Sequence, residues 1–157
     1  MDIEPHPGVD YVGDVSDLSR FPDGSVDEIY ASHILEHFSH TNTEAVLREW
    51  GRALGPQGIL YVGVPDFSRT VVLYSKYGLN EWVRNFLYGD QSYPTAYHYT
   101  CFDESALALL LLKSGFSDVS RVEFFPFESN PGVPGDCSTN ISTWDGKSVS
   151  LNMVAIK

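Results

Sequence analysis

A chain of 157 residues is enough for one domain around a single core, and residues 1–157 read as such a domain. Asp and Glu outnumber Lys and Arg by 21 to 10, a formal charge of −11, and with no local basic patch this balance repels a phosphate backbone and argues against a nucleic acid substrate. The longest apolar run, Ala106 to Leu112, is far too short to span a bilayer, and charge and proline replace a signal-type apolar stretch near Met1, so no membrane partner and a cytoplasmic location are expected.

In chain order, Val9 to Val15 is β-branched and aromatic and predicts a strand. Phe21-Pro22-Asp23-Gly24 is a turn signal, and Val26 to Ala31 predicts the next strand. Ser32 is placed to cap a short helix over His33 to Phe38. Thr41 and Glu44 have capping-box spacing, and Val46, Leu47, Trp50, Ala53 and Leu54 recur at helical period behind them. Gly55-Pro56 ends that helix. Ile59 to Val64 is a continuous apolar run, the mark of a strand buried on both faces.

Pro65-Asp66 then opens a stretch from Ser68 to Tyr88 that predicts two helical pieces broken near Gly78, with Asp66 as a cap. Gly89 to Cys101 is a Tyr-rich loop carrying His98. Asp103 predicts a capped helix to Ser114, with Ala106, Leu107, Leu110 and Leu111 as its buried stripe. Phe116 to Phe127 and Val149 to Ile156 predict two closing strands around a Pro- and Gly-rich loop at Asn130 to Gly135. Strands alternating with helices point to an α/β sheet covered on both faces. Cys101 and Cys137 lack any CxxC spacing and are expected as free thiols, and the sequon at Asn140-Ile141-Ser142 is expected to be chance.

One short motif carries chemistry of its own. His33-Ile34-Leu35-Glu36-His37 matches H-x-x-E-H, in which two imidazoles four apart on a helix hold zinc and the Glu acts as base. His40 could extend the pair, but the predicted helix is short and no Glu-bearing helix downstream offers an obvious third ligand; zinc hydrolysis is therefore the weaker reading, while metal binding by His33, Glu36 and His37 stays open and no metal ligand is assigned.

Four stretches together resemble the class I S-adenosylmethionine-dependent methyltransferases of the broad type 11 group. They are Val12-Gly13-Asp14-Val15 with Leu18 and Phe21 to Asp27; Ser32 to His37; Glu49 to Asp66; and His98, Phe102-Asp103, Leu107, Leu111 and Gly115-Phe116. The resemblance implies a Rossmann-like sheet, mostly parallel with an antiparallel closing strand, and S-adenosylmethionine as cofactor. By the same resemblance Asp2 takes the place of the ribose-binding acid. Asp14 faces the adenine amino group with the Val15 amide beside the ring, and Ser32 and His33 face the methionine moiety. His98 falls on the acceptor side as the candidate catalytic residue, its imidazole suited to proton removal near neutral pH.

The family's first strand and glycine-rich loop have no counterpart here, so the expected fold is N-terminally truncated. Loss of a central strand would leave backbone groups unpaired on its neighbours. The expectation is that the strand at Val9 to Val15 shifts to pair with the one at Val26 to Ala31, or that two chains exchange strands in a homodimer. Two functions follow: a methyltransferase acting on a small molecule or sugar, or a non-catalytic remnant of the fold.

Overall fold

The computed structural model describes residues 1–5, 7–126, 143–144 and 147–157. The loop at Asn130 to Gly135, Cys137, the sequon and the far end of the strand predicted to Phe127 lie outside the described residues.

Four strands form the main sheet: β1 (Val26–Ser32), β2 (Leu54–Pro65), β3 (Ser117–Val122) and β6 (Ser150–Ile156). Two further pieces, β4 (Thr143–Trp144) and β5 (Lys147–Ser148), pair only with each other. The main order is β1-β2-β6-β3, with β1 and β2 parallel and β6 antiparallel to both β2 and β3. This is the mixed sheet with an antiparallel closing strand that the resemblance implied.

Because side chains alternate along a strand, register decides which residues form the core. Ile29, Leu60 and Ala155 lie in one row across three strands, and Ala31, Val62 and Met153 in the next. Val64 pairs with Leu151 beyond them. Helix α1 (Thr43–Ala53) brings Val46, Leu47 and Trp50 onto this face, and helix α4 (Glu104–Lys113) brings Leu107 and Leu111. On the opposite face Tyr61 meets the Phe125 ring edge-on at 5.6 Å. Helices α2 (Phe67–Tyr77) and α3 (Glu81–Tyr88) form a satellite cluster in which Leu73 and Val83 close over Val149. No helix of the described residues is long and apolar enough to cross a membrane.

Local chemistry sets most element ends. Asp103 caps α4 through the Ala106 amide at 2.8 Å, and Asn80 caps α3 through the Val83 amide at 3.0 Å. Gly78, at φ +70, ends α2 where a side chain would be strained. The capping box predicted at Thr41 does not form. The N-cap is Asn42, without a side-chain bond; the Thr41 hydroxyl bonds Ser39 and Asn42, and Glu44 pairs with Arg48. In α4, Leu107 and Leu111 are buried as predicted, but Ala106 is exposed.

The segment predicted as a strand at Val9 to Val15 keeps only one isolated parallel bridge, between Asp2 and Val12. Asp14 folds back on the Ser16 amide at 2.8 Å, a turn that takes the backbone off any ladder. It does not shift beside β1, whose ladder among the described residues runs to β2 alone. The segment is anchored to α1 instead. The Trp50 indole donates to the Val15 carbonyl at 2.8 Å, Glu49 accepts from the Leu18 amide at 2.9 Å, and Arg52 donates to the carbonyls of Leu18 and Phe21. The Arg52 guanidinium also holds the Glu49 carboxyl below its usual range.

Asp66 joins three elements at the end of β2. One carboxylate oxygen accepts from the Ser68 and Arg69 amides at 2.9 and 3.3 Å, and the other from Arg121 at 3.0 Å. The side chain is 2% exposed, so its partners cannot be replaced by water. Asp66→Ala is expected to cost about 2–4 kcal/mol, the sum of a lost cap and a lost charged hydrogen bond. Asp66→Asn keeps the cap and is expected to cost about half as much, by the same magnitudes. Urea unfolding of the two variants measures the difference.

Candidate functional site

A cleft of about 390 Å³ opens beyond the carboxyl end of β1, where ligands gather in open α/β sheets. Met1 to Ile3 and Gly13 to Val15 line one side, and His33, Ile34, His37 and Phe38 line the other. Pro94, Thr95 and Tyr99 close it from the loop after α3. Residues far apart in sequence are thus gathered on one concave surface, within the usual range for small-ligand sites, about 300–1,000 Å³.

Four of the predicted site residues, Asp2, Asp14, Val15 and His33, line this cleft. Asp14 uses one oxygen on the Ser16 amide, and its side chain is exposed at the cleft wall. Val15 is held at its carbonyl by Trp50, which fixes the neighbouring wall. Ser32 is the last residue of β1, not a helix cap, and its hydroxyl is buried without a hydrogen-bond partner. His98 does not line the cleft; its ring lies against that of His37, with centroids 4.9 Å apart and planes nearly perpendicular.

The turn after β1 differs from the predicted helix. Only Leu35–His37 is helical, as a single 3₁₀ turn. His33 adopts φ +51, uncommon for a residue with a side chain. Its amide donates to the Gly63 carbonyl at 2.8 Å, and its Nε2 meets the Ser150 hydroxyl at 2.8 Å. His33 and His37 therefore do not share an α-helical face, and the zinc-hydrolase arrangement of H-x-x-E-H is not built.

Instead the turn is locked to the later loop. The Tyr99 amide donates to the Glu36 carbonyl at 2.8 Å, and the His98 amide to the Tyr88 carbonyl at 3.0 Å. His37 Nδ1 bonds the Tyr97 carbonyl at 3.0 Å, and His98 Nδ1 bonds the Phe86 carbonyl at 3.1 Å. Burial pushes the His98 imidazole below its ordinary value of 6.5, against the opposing pull of the Phe86 carbonyl. His98 is therefore neutral at pH 7. Glu36 and His37 gain their place only from this tertiary closure, which no local pattern announces.

Known proteins agree with this architecture. Residues 3–62 match the family of methyltransferase domains. No curated protein sequence matches the chain. Among solved structures, it is similar to a SAM-dependent methyltransferase from Archaeoglobus fulgidus, with 16% identity, a TM-score of 0.59, and coverage of 94% of this chain and 66% of that one. A SAM-dependent methyltransferase from Methanosarcina mazei gives 21% identity and a TM-score of 0.58 over 94% of this chain and 66% of that one. The 1,6-didemethyltoxoflavin-N1-methyltransferase of Burkholderia thailandensis, solved with 1,6-didemethyltoxoflavin and S-adenosylhomocysteine, gives 18% and 0.54 over 94% of this chain and 49% of that one. The chain thus spans less than two thirds of the length of these neighbours. It shares its fold with SAM-dependent methyltransferases of known structure, and its segment 3–62 matches the methyltransferase-domain family.

Proposed function

We propose that the cleft receives the adenosine part of S-adenosylmethionine and that the chain serves methyl transfer to a small molecule or sugar. The observation that carries this reading is the convergence of Asp2, Asp14, Val15 and His33 on one cleft beyond the strand ends. Asp14 supplies an ionised acceptor for an exocyclic amine, since a carboxylate can only accept. Asp2 and the Val15 backbone flank it and complete a polar rim around an apolar floor of Ile34 and Phe38.

The cofactor, when bound, supplies a methyl group on a sulfonium, and displacement at that carbon needs alignment more than it needs a protein nucleophile. His33 stands at the strand end, where the methionine part would lie. Tyr99 and Thr95 bound the acceptor side, with neutral His98 behind His37 as the residue nearest in kind to a base. The formal charge of −11 favours an acceptor without phosphates. A cytoplasmic homodimer is part of the same proposal, supported by the open outer edge of β1 among the described residues; sedimentation of the purified chain tests it.

Calorimetric titration with S-adenosylhomocysteine tests cofactor binding. Saturable binding is expected, weakened about 10–100-fold by Asp14→Ala, the equivalent of one hydrogen bond to a charged group. Absence of binding at high ligand concentration would favour the other reading, a methyltransferase fold without cofactor chemistry.

A further inference from the structure

We propose that Glu36, His37 and His98 form a binding site for one divalent first-row transition metal ion, of the zinc or manganese kind. One donor atom from each of the three lies within 4.8 Å of those of the other two. Donors around a tetrahedral zinc sit ~3.3 Å apart at ordinary Zn–N and Zn–O lengths, so small side-chain rotations close the cluster onto an ion.

The hydrogen-bond pattern is that of ligands held ready. His37 and His98 each place Nδ1 against a backbone carbonyl, of Tyr97 and Phe86. A carbonyl only accepts, so Nδ1 carries the hydrogen and Nε2 keeps a free lone pair. Metal-binding imidazoles are oriented in this same way by a carbonyl or carboxylate on the second nitrogen.

Glu36 supplies the second, independent observation. Its side chain is 1% exposed, and neither carboxylate oxygen has a hydrogen-bond partner. His33 Nδ1 comes within 3.3 Å of one oxygen but is not aligned for a hydrogen bond. Buried carboxylates are paired or bound to metals, and an ion between Glu36 and the two imidazoles meets that need. His33 stands beside the carboxylate without bonding it, its own imidazole held at Nε2 by the Ser150 hydroxyl.

Two imidazoles and one carboxylate suit zinc, manganese, iron or cobalt rather than calcium or magnesium. Three protein ligands leave at least one coordination position open. His37 lines the cleft wall, so an open position there faces the same space as the proposed acceptor. The site has no α-helical zinc pair and calls for no hydrolysis. It does not depend on the methyl-transfer reading, because metal binding is measured directly.

The test is calorimetric titration of the untagged, chelator-treated full chain with Zn²⁺, Mn²⁺ and Co²⁺, with the Co²⁺ visible spectrum as a report of ligand type. One equivalent per chain is expected for at least one ion, together with a metal-dependent rise in Tm. His37→Gln and His98→Gln are each expected to weaken binding a hundredfold or more and to abolish the rise in Tm, with circular dichroism confirming that both remain folded. Glu36→Gln should do the same; if it does not fold, the two histidine variants decide alone. Lack of stoichiometric binding by the wild-type chain, or binding unchanged in both histidine variants, overturns the site.

Discussion

Trp50→Ala is expected to remove about 3–5 kcal/mol of folding stability, the range for deleting a buried indole. Trp50 is 2% exposed and lies in the main cluster with Leu47, Leu54 and Phe116. It also bridges two parts of the fold, since its indole N–H is bonded to the Val15 carbonyl. Alanine leaves a cavity against β2 and frees the segment that forms one wall of the cleft. Domains of this size hold about 5–15 kcal/mol in total, so a large share of the native population is at stake. Trp50→Phe separates the two roles: it keeps much of the packing but loses the bond, at an expected cost of about 1–2 kcal/mol. If the Val15 tether matters to the cleft, Trp50→Phe also weakens S-adenosylhomocysteine binding while the core stays intact. Urea unfolding and calorimetry on the same variant read the two effects, and equal affinity for wild type and Trp50→Phe would show that the tether is dispensable.

The contrast between elements shows what a sequence reveals here. β2 was legible as an apolar run because both of its faces are buried, and β6 because its alternate residues Leu151, Met153 and Ala155 enter the core. The stripe of α1 was legible for the same reason at helical period. The caps at Asp66, Asn80 and Asp103 form where acceptor side chains precede helices. The failures have physical causes. Val9 to Val15 has strand-like residues, but a strand exists only with a ladder partner, and residue types do not reveal whether one is beside it. Thr41 had a nearer partner in Ser39. Ser32 still pairs with Gly63 in the sheet and so cannot begin a helix. The contact between His37 and His98 depends on a loop closure far along the chain, and the burial of Glu36 depends on the same closure. Neither leaves a periodic trace. The cleft residues were named through resemblance to a family, not through spacing.

That loop closure rests on Gly89, and Gly89→Ala is expected to undo it. Gly89 caps α3 at φ +74, where side chains are strained. A Cβ there would lie 1.8 Å from the Ala96 carbonyl oxygen, 2.9 Å from the Ala96 carbonyl carbon and 3.1 Å from the His98 nitrogen. All three are backbone atoms, so no rotamer change relieves the overlap and the loop itself must move. The hydrogen bonds from His98 to Tyr88 and Phe86 and from Tyr99 to Glu36 are the ones at risk. Gly78→Ala is the matched control: its φ is +70 and a Cβ would meet nothing within 4 Å. It bears the backbone strain alone, about 1–3 kcal/mol, whereas Gly89→Ala adds the displacement of the loop. Hydrogen exchange distinguishes local from global loss. In Gly89→Ala, amides at His98 and Tyr99 are expected to lose protection while those of β2 and β6 keep theirs, and both ligand and metal binding should fall with them. Equal protection in the two glycine variants would mean that the approach of Ala96 to Gly89 does not hold the loop, and the lock between the two halves of the site would have to lie with Glu36 and Tyr99 alone.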